Sequence, residues 1–119
     1  MRRGPENDEL RRTIVFLEKS ARKYGARIWR AVAKSLSAPR RRRVEVNIGK
    51  LSTVTKANDT AVVAGRLLGA GELRHAVNVA AFSCSAGVRE KVERAGGKVL
   101  SIRELVESNP KGSGVVIVR

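Results

Sequence analysis

Apolar positions along this chain change their spacing partway through, and the change marks a switch in structure. Leu10, Ile14, Leu17, Ala21 and Tyr24 recur at three- and four-residue intervals, which is one face of a helix. Asn7 or Asp8 is placed to cap that helix and Gly25 to stop it. Ile28, Trp29, Val32 and Leu36 predict a second, shorter helix over 28–36 with those four residues inward, and Pro39 discourages its continuation. Beyond Pro39 the period falls to two. Val44, Val46 and Ile48 alternate with Glu45, Asn47 and Gly49, the mark of a half-buried strand.

The remaining segments are shorter. The polar stretch Thr53–Thr60 fits either a helix or a loop. Ala61–Ala64 predicts a short buried strand, Gly65, Gly69 and Gly71 punctuate a loop, and Ala76–Phe82 predicts a longer strand. Ser83 or Ser85 can cap a helix reaching Ala95 and ended by Gly96 and Gly97. Lys98–Leu100 predicts a strand, and Ser101 with Glu104 makes the capping-box pattern of another short helix. The loop "NPKGSG" at 109–114 then leads to a last strand, Val115–Val118. Alternating strands and helices predict an α/β fold with some parallel pairing: a basic helical head with an arginine-rich junction over 1–43, then a small, partly parallel sheet with flanking helices over 44–119. The 119 residues suit one domain with one modest core. Apolar content of 42% argues for a folded chain, and 3% aromatics leaves that core to Val, Leu, Ile and Ala.

Charge adds a partner to the picture. The net charge is +14 and the pI near 11.4, which points to a polyanion such as RNA, DNA or an acidic membrane surface. The excess is uneven. Residues 1–43 hold fourteen basic and four acidic side chains, whereas 44–119 hold eleven and seven. Arg40, Arg41, Arg42 and Arg43 stand in a row behind Pro39. Adjacent guanidinium groups repel one another and bury badly, so the quartet requires an anionic partner to be worthwhile. A membrane fits poorly, because no apolar run approaches the ~18 residues a spanning helix needs and Met1–Glu6 has no apolar signal core. One cysteine, Cys84, permits no internal disulfide and suits a reducing compartment. The expectation is a soluble cytosolic protein.

Catalytic readings fail on spacing. "SCSAGVRE" at 83–90 resembles a cysteine-phosphatase loop, but four residues separate Cys84 from Arg89 where the loop that encircles a phosphate needs five. Ser83 stands in place of the usual His, and the single Trp excludes a Trp-Pro-Asp acid segment. A small buried cysteine at a strand end is the plainer reading. Gly65, Gly69 and Gly71 make neither a Walker loop, since Glu72 follows Gly71, nor a dinucleotide fingerprint, since position 74 is Arg. Turn glycines suffice. His75 is alone, so no His/Cys zinc site forms. Trp29, at helical spacing, is read as core rather than as a base-stacking platform. No enzyme, cofactor, metal or small-molecule substrate is expected.

The basic features remain. They are arginines, whose planar fork pairs bidentately with phosphate, and they cluster at one end beside a folded body. Arg2, Arg3, Arg11 and Arg12 belong to the same head. So few aromatics disfavour an RRM-like stacking sheet and leave recognition to shape and phosphate.

The segments "GARIWRAVAKSLSAPRRRRVEVNIGKL" (25–51), "VVAGRLLGAGELRHAVNVAAFSCSAGVREKVERAGGKVLSI" (62–102) and "NPKGSGV" (109–115) closely resemble the archaeal and eukaryotic large-subunit ribosomal protein L eighteen-e family, itself related to bacterial ribosomal protein L fifteen. The resemblance spans roughly residues 4–118, and the short chain looks like the archaeal form. It implies a non-catalytic α/β constituent of the large ribosomal subunit in the cytoplasm, bound to ribosomal RNA and to neighbouring ribosomal proteins. It further implies RNA contact by the Pro39–Arg43 junction, the Lys50 region, the Gly69–Gly71 turn and the 109–114 loop. Arg66, Gly69, Gly71, Lys111, Gly112, Ser113 and Gly114 also suit close approach of phosphate to backbone. Proline is frequent in the family where this chain has Arg27 and Ala64. The alternatives are a free nucleic-acid-binding regulator or RNA chaperone, and an enzyme using Cys84.

Overall fold

A computed structural model describes residues 5–38 and 44–119, with side chains from Asp8 onward. Helices α1 (Pro5–Tyr24) and α2 (Arg27–Leu36) come first. They are followed by β1 (Val44–Asn47), α3 (Ile48–Val54), β2 (Asp59–Leu68), β3 (Val77–Cys84), α4 (Val88–Arg94), β4 (Lys98–Leu100), α5 (Ile102–Ser108) and β5 (Val115–Val118). Among the described residues the sheet has five strands, and each pairing within it is parallel. The expected partial parallelism is therefore complete in this part of the chain.

β2 is the axis of the sheet. β3 runs along one edge of it, and β4 lies outside β3. The other edge of β2 is shared end to end: β5 pairs Thr60–Val63 with Val115–Val118, and β1 pairs Gly65–Leu68 with Val44–Asn47. Between Val63 and Arg66 the register against β3 slips, so the seam between β1 and β5 coincides with a bulge. Residues 61–64 alternate between two cores. Val62 and Ala64 join α1, α2 and α5 on one face, whereas Ala61 and Val63 join α3 and α4 on the other. Both faces are covered, as a parallel sheet requires.

Several expectations shift at boundaries. α1 starts at Pro5, ahead of the expected caps Asn7 and Asp8, because proline's fixed φ suits a first helical turn. It ends before Gly25, whose φ of +64° makes the stop. Ile48 belongs to α3 rather than to a strand; it is fully buried beside Leu51, and one buried side serves either period. That helix accounts for the first part of the undecided Thr53–Thr60 stretch. β2 is longer than Ala61–Ala64 and contains Gly65. A Cβ at Gly65 would sit 2.1 Å from the Val44 carbonyl oxygen, so glycine here permits close strand approach instead of marking a loop. Neither Ser83 nor Ser85 caps α4. Gly87 does, at φ +84°, while the Ser85 carbonyl accepts from the Val88 N–H at 3.3 Å. The Ser101–Glu104 capping box is present in full, and Trp29 is completely buried as core. Arg27 opens α2 and Ala64 adjoins the bulge, both positions where proline is tolerated.

Candidate nucleic-acid interface

The junction between β1 and α3 is built around the 69–71 turn. The Gly49 N–H donates to the Ala70 carbonyl at 3.0 Å, and the Ala70 N–H donates to Asn47 Oδ1 at 3.3 Å. Gly71, at φ +92°, lies so close that a Cβ there would come within 2.7 Å of Gly49 Cα. Lys91 of α4 reaches the other side of the turn and donates to the Gly69 carbonyl at 2.7 Å. Gly69, Gly71 and Lys50 are thereby gathered at the carboxyl end of β2. Lys50 is exposed, and its Nζ donates to the Arg119 carbonyl. Arg66 is also exposed, near the end of the same strand, and pairs in register with Glu45 and Ser83.

The 109–114 loop occupies the opposite end. It delivers Val115 opposite Thr60, eight residues before Leu68 along β2, or roughly 26 Å at ~3.3 Å per residue. The Trp29 indole N–H donates to the Pro110 carbonyl at 2.7 Å. Asn109 Nδ2 donates to the Ser113 carbonyl at 2.9 Å, and the Gly112 N–H to the Asn109 carbonyl at 2.9 Å. Gly112, at φ +68°, faces α2, where a Cβ would meet Ile28 Cγ2 at 2.3 Å. Its glycine therefore has an internal reason. Gly114 differs: its φ is +72° and a Cβ would find nothing within 4 Å. Lys111, Ser113 and Gly114 are exposed on this loop.

Among the described residues the candidates thus form no single site. Lys50, Arg66, Gly69 and Gly71 gather at one end of the sheet, Lys111–Gly114 lie at the other, and Arg11 and Arg12 stand exposed on α1. Arg2, Arg3 and Arg40–Arg43 lie outside the described residues. The chain nevertheless re-enters the sheet at a defined place, because Val44 sits opposite Gly65 at the seam where β5 ends opposite Val63. Spacing along the chain gave no hint of the Lys91–Gly69 contact or of Arg103, whose guanidinium lies 4.2 Å from the Phe16 ring centre. Both join residues far apart in the chain.

The Cys84 thiol is free and half-buried at the end of β3. Partial burial raises its pKa, opposed by the charges of Arg89 and Arg66. Glu104 is held below the usual carboxylate range, chiefly by the Ser101 backbone N–H, then by the Ser101 hydroxyl contact, with the Arg89 charge adding to the effect. His75 Nε2 lies 3.1 Å from the Ser52 carbonyl. Among the described residues no cluster of His, Cys, Asp and Glu could hold a metal ion, and no helix is long and apolar enough to cross a membrane.

By class this is a small, strongly basic α/β protein with helices on both faces of a parallel sheet and its cations displayed on several sides. The family of ribosomal protein 60S L18 and 50S L18e matches residues 7–119, and the chain belongs to that family. Its relatives include three proteins named large ribosomal subunit protein eL18. The one from Pyrobaculum aerophilum is 50% identical over 115 residues, covering 97% of this chain and 94% of the relative. The one from Methanopyrus kandleri is 47% identical over 120 residues, with 97% and 94% covered. The one from Methanococcus maripaludis is 43% identical over 118 residues, with 99% and 96% covered. Membership makes this a ribosomal protein and not an enzyme.

Proposed function

We propose that this protein is a structural constituent of the large ribosomal subunit in the cytoplasm, holding ribosomal RNA through phosphate-directed cations and loops, with neighbouring large-subunit proteins as further partners. The observation that carries the reading is the family match over residues 7–119, joined to relatives whose name places them in the large subunit. The charge distribution supports it. Cations at both ends of the sheet and along α1 suit a protein wedged among several RNA segments better than one reading a single site. Each phosphate neutralised releases counterions, so affinity resides largely in these contacts and falls steeply with salt.

The test is replacement of Arg40–Arg43 by alanine, with binding to large-subunit RNA measured across a salt series. If all four arginines meet phosphates, the salt slope drops by roughly 3, at 0.7–0.9 per contact. An unchanged slope means the quartet is merely solvated. Sedimentation of a lysate after a high-salt wash checks the larger reading: recovery with the large subunit supports it, and recovery at the top of the gradient rejects it.

A further inference from the structure

Val15, on the outward side of α1, is a large apolar residue left 43% exposed. Its neighbour Phe16 is only half-buried and packs against the core cluster shared by α1, α2 and α5. Arg103 of α5 lays its guanidinium 4.2 Å from the Phe16 ring centre. With Arg11, Arg12 and Lys19 these residues line a shallow depression of about 370 Å³. Among the described residues its lining holds four cations and no carboxylate; Glu9 lines an adjoining depression that shares Arg12 and Arg103.

We propose that this depression binds one unstacked nucleotide of RNA, its base lying on the outer face of the Arg103 guanidinium beside Val15 and its phosphates meeting Arg11, Arg12 and Lys19. The site is distinct from the loops at the ends of the sheet, although the inference rests on the RNA-binding reading. Phe16 gives Arg103 its role here. A guanidinium seated over a ring is held in place by it, and its outward side is a platform on which a base can stack. The flanking cations call for an anion, and an unstacked nucleotide carries a flat ring and its charge in one residue. A partner helix would instead require apolar anchors at three- and four-residue spacing. The apolar floor here is the adjacent pair Val15 and Phe16.

The test uses the full chain and two probes: an octa-adenylate RNA and an oligomer of equal length made of abasic sugar phosphates. The wild type should prefer octa-adenylate. Arg103→Lys keeps the charge but loses the plane, and should weaken octa-adenylate binding by about 5- to 100-fold with little change for the abasic oligomer. Phe16→Leu, which keeps apolar volume beneath Arg103, should shift affinity in the same direction, with thermal melts reporting that both variants fold. Equal wild-type affinity for the two probes, or equal losses in a variant, rejects base stacking while leaving phosphate binding in place. Failure of the wild type to bind either probe while it still binds large-subunit RNA rejects the nucleotide site alone, and failure to bind large-subunit RNA as well rejects the RNA-binding reading. Binding of a Glu/Leu-rich helical peptide, weakened by Arg103→Lys, in place of any base preference would assign the patch to a protein and overturn the proposal.

Discussion

Gly65→Ala tests whether the seam in the sheet is as tight as the geometry makes it. An added methyl would lie 2.1 Å from the Val44 carbonyl oxygen and 2.9 Å from the Val44 carbonyl carbon. Both are backbone atoms, so no rotamer change relieves the clash. β1 must move outward by about 1 Å to restore ordinary van der Waals contact. Overpacking of this kind costs roughly 1–3 kcal/mol. Displacing β1 also unseats Val46, which is fully buried and stabilises the fold by roughly 1.5–3 kcal/mol when packed. The expected destabilisation is therefore about 3–5 kcal/mol, or a drop in Tm of about 10–20 °C for a chain of this length. Gly114→Ala is the matched control: its methyl meets nothing within 4 Å, and only the left-handed φ costs, at roughly 1 kcal/mol. Urea titration of both variants beside the wild type separates the two mechanisms. Equal, small losses would refute the steric account of Gly65. On the RNA-binding reading proposed above, a loosened β1 should also weaken binding to large-subunit RNA, because Val44 follows Arg43 directly.

Other outcomes follow from single contacts. Trp29→Phe removes the indole donor from the Pro110 carbonyl and leaves space in a fully buried site; it should cost roughly 2–3 kcal/mol in chemical denaturation and accelerate amide exchange in the 109–114 loop. Ser101→Ala should lose about 1 kcal/mol by removing a helix cap, read from thermal melts. Because Glu104 is held below its ordinary pKa, its stabilising part is present above the unfolded carboxylate pKa and disappears as pH falls through the lower folded value. Glu104→Gln should therefore flatten the acid limb of a stability–pH curve. Burial raises the Cys84 thiol, so alkylation near pH 7 should be slow and still rising beyond the ordinary thiol pKa. Stability from the neutral thiol should be full below about pH 8.5 and decline as pH climbs through the folded value. Cys84→Ser should leave RNA binding unchanged in a filter assay, and a loss would reopen a role for the thiol.

Much of the fold was legible because the helical and strand periods are clean. Leu10, Leu17 and Ala21 fall on one buried face of α1 as their spacing requires, and the Ser101 capping box announced α5. Other features were illegible for physical reasons. Gly65 looked like loop punctuation because a glycine tolerated for close strand packing has the same letter as one needed for a turn. Ile48 satisfied a strand period and a helix start equally. The charge excess pointed to a polyanionic partner, but not to where its contacts would fall. Lys91 meeting Gly69, and Arg103 meeting Phe16, depend on how α4 and α5 dock onto opposite faces of the sheet. No local pattern records that docking.

The loop at 109–114 has a consequence for how the sheet chooses its alignment. β5 carries four apolar residues in succession, with Val115 and Ile117 turned to one core and Val116 and Val118 to the other. Sliding β5 by one position along β2 would exchange the two pairs between the faces with almost no loss of apolar character, so side-chain chemistry alone polices the register weakly. β5 also follows every other strand in the chain, and its pairing with Thr60–Val63 closes a long stretch of sequence, a slow kind of contact to form. Until it arrives, that half of the β2 edge offers unpaired backbone to any wandering strand. The brace from Trp29 to Pro110, with Asn109 folded onto Ser113, fixes the take-off point of Val115. A buried tryptophan in the second helix thus serves as the gauge that sets a late strand in frame.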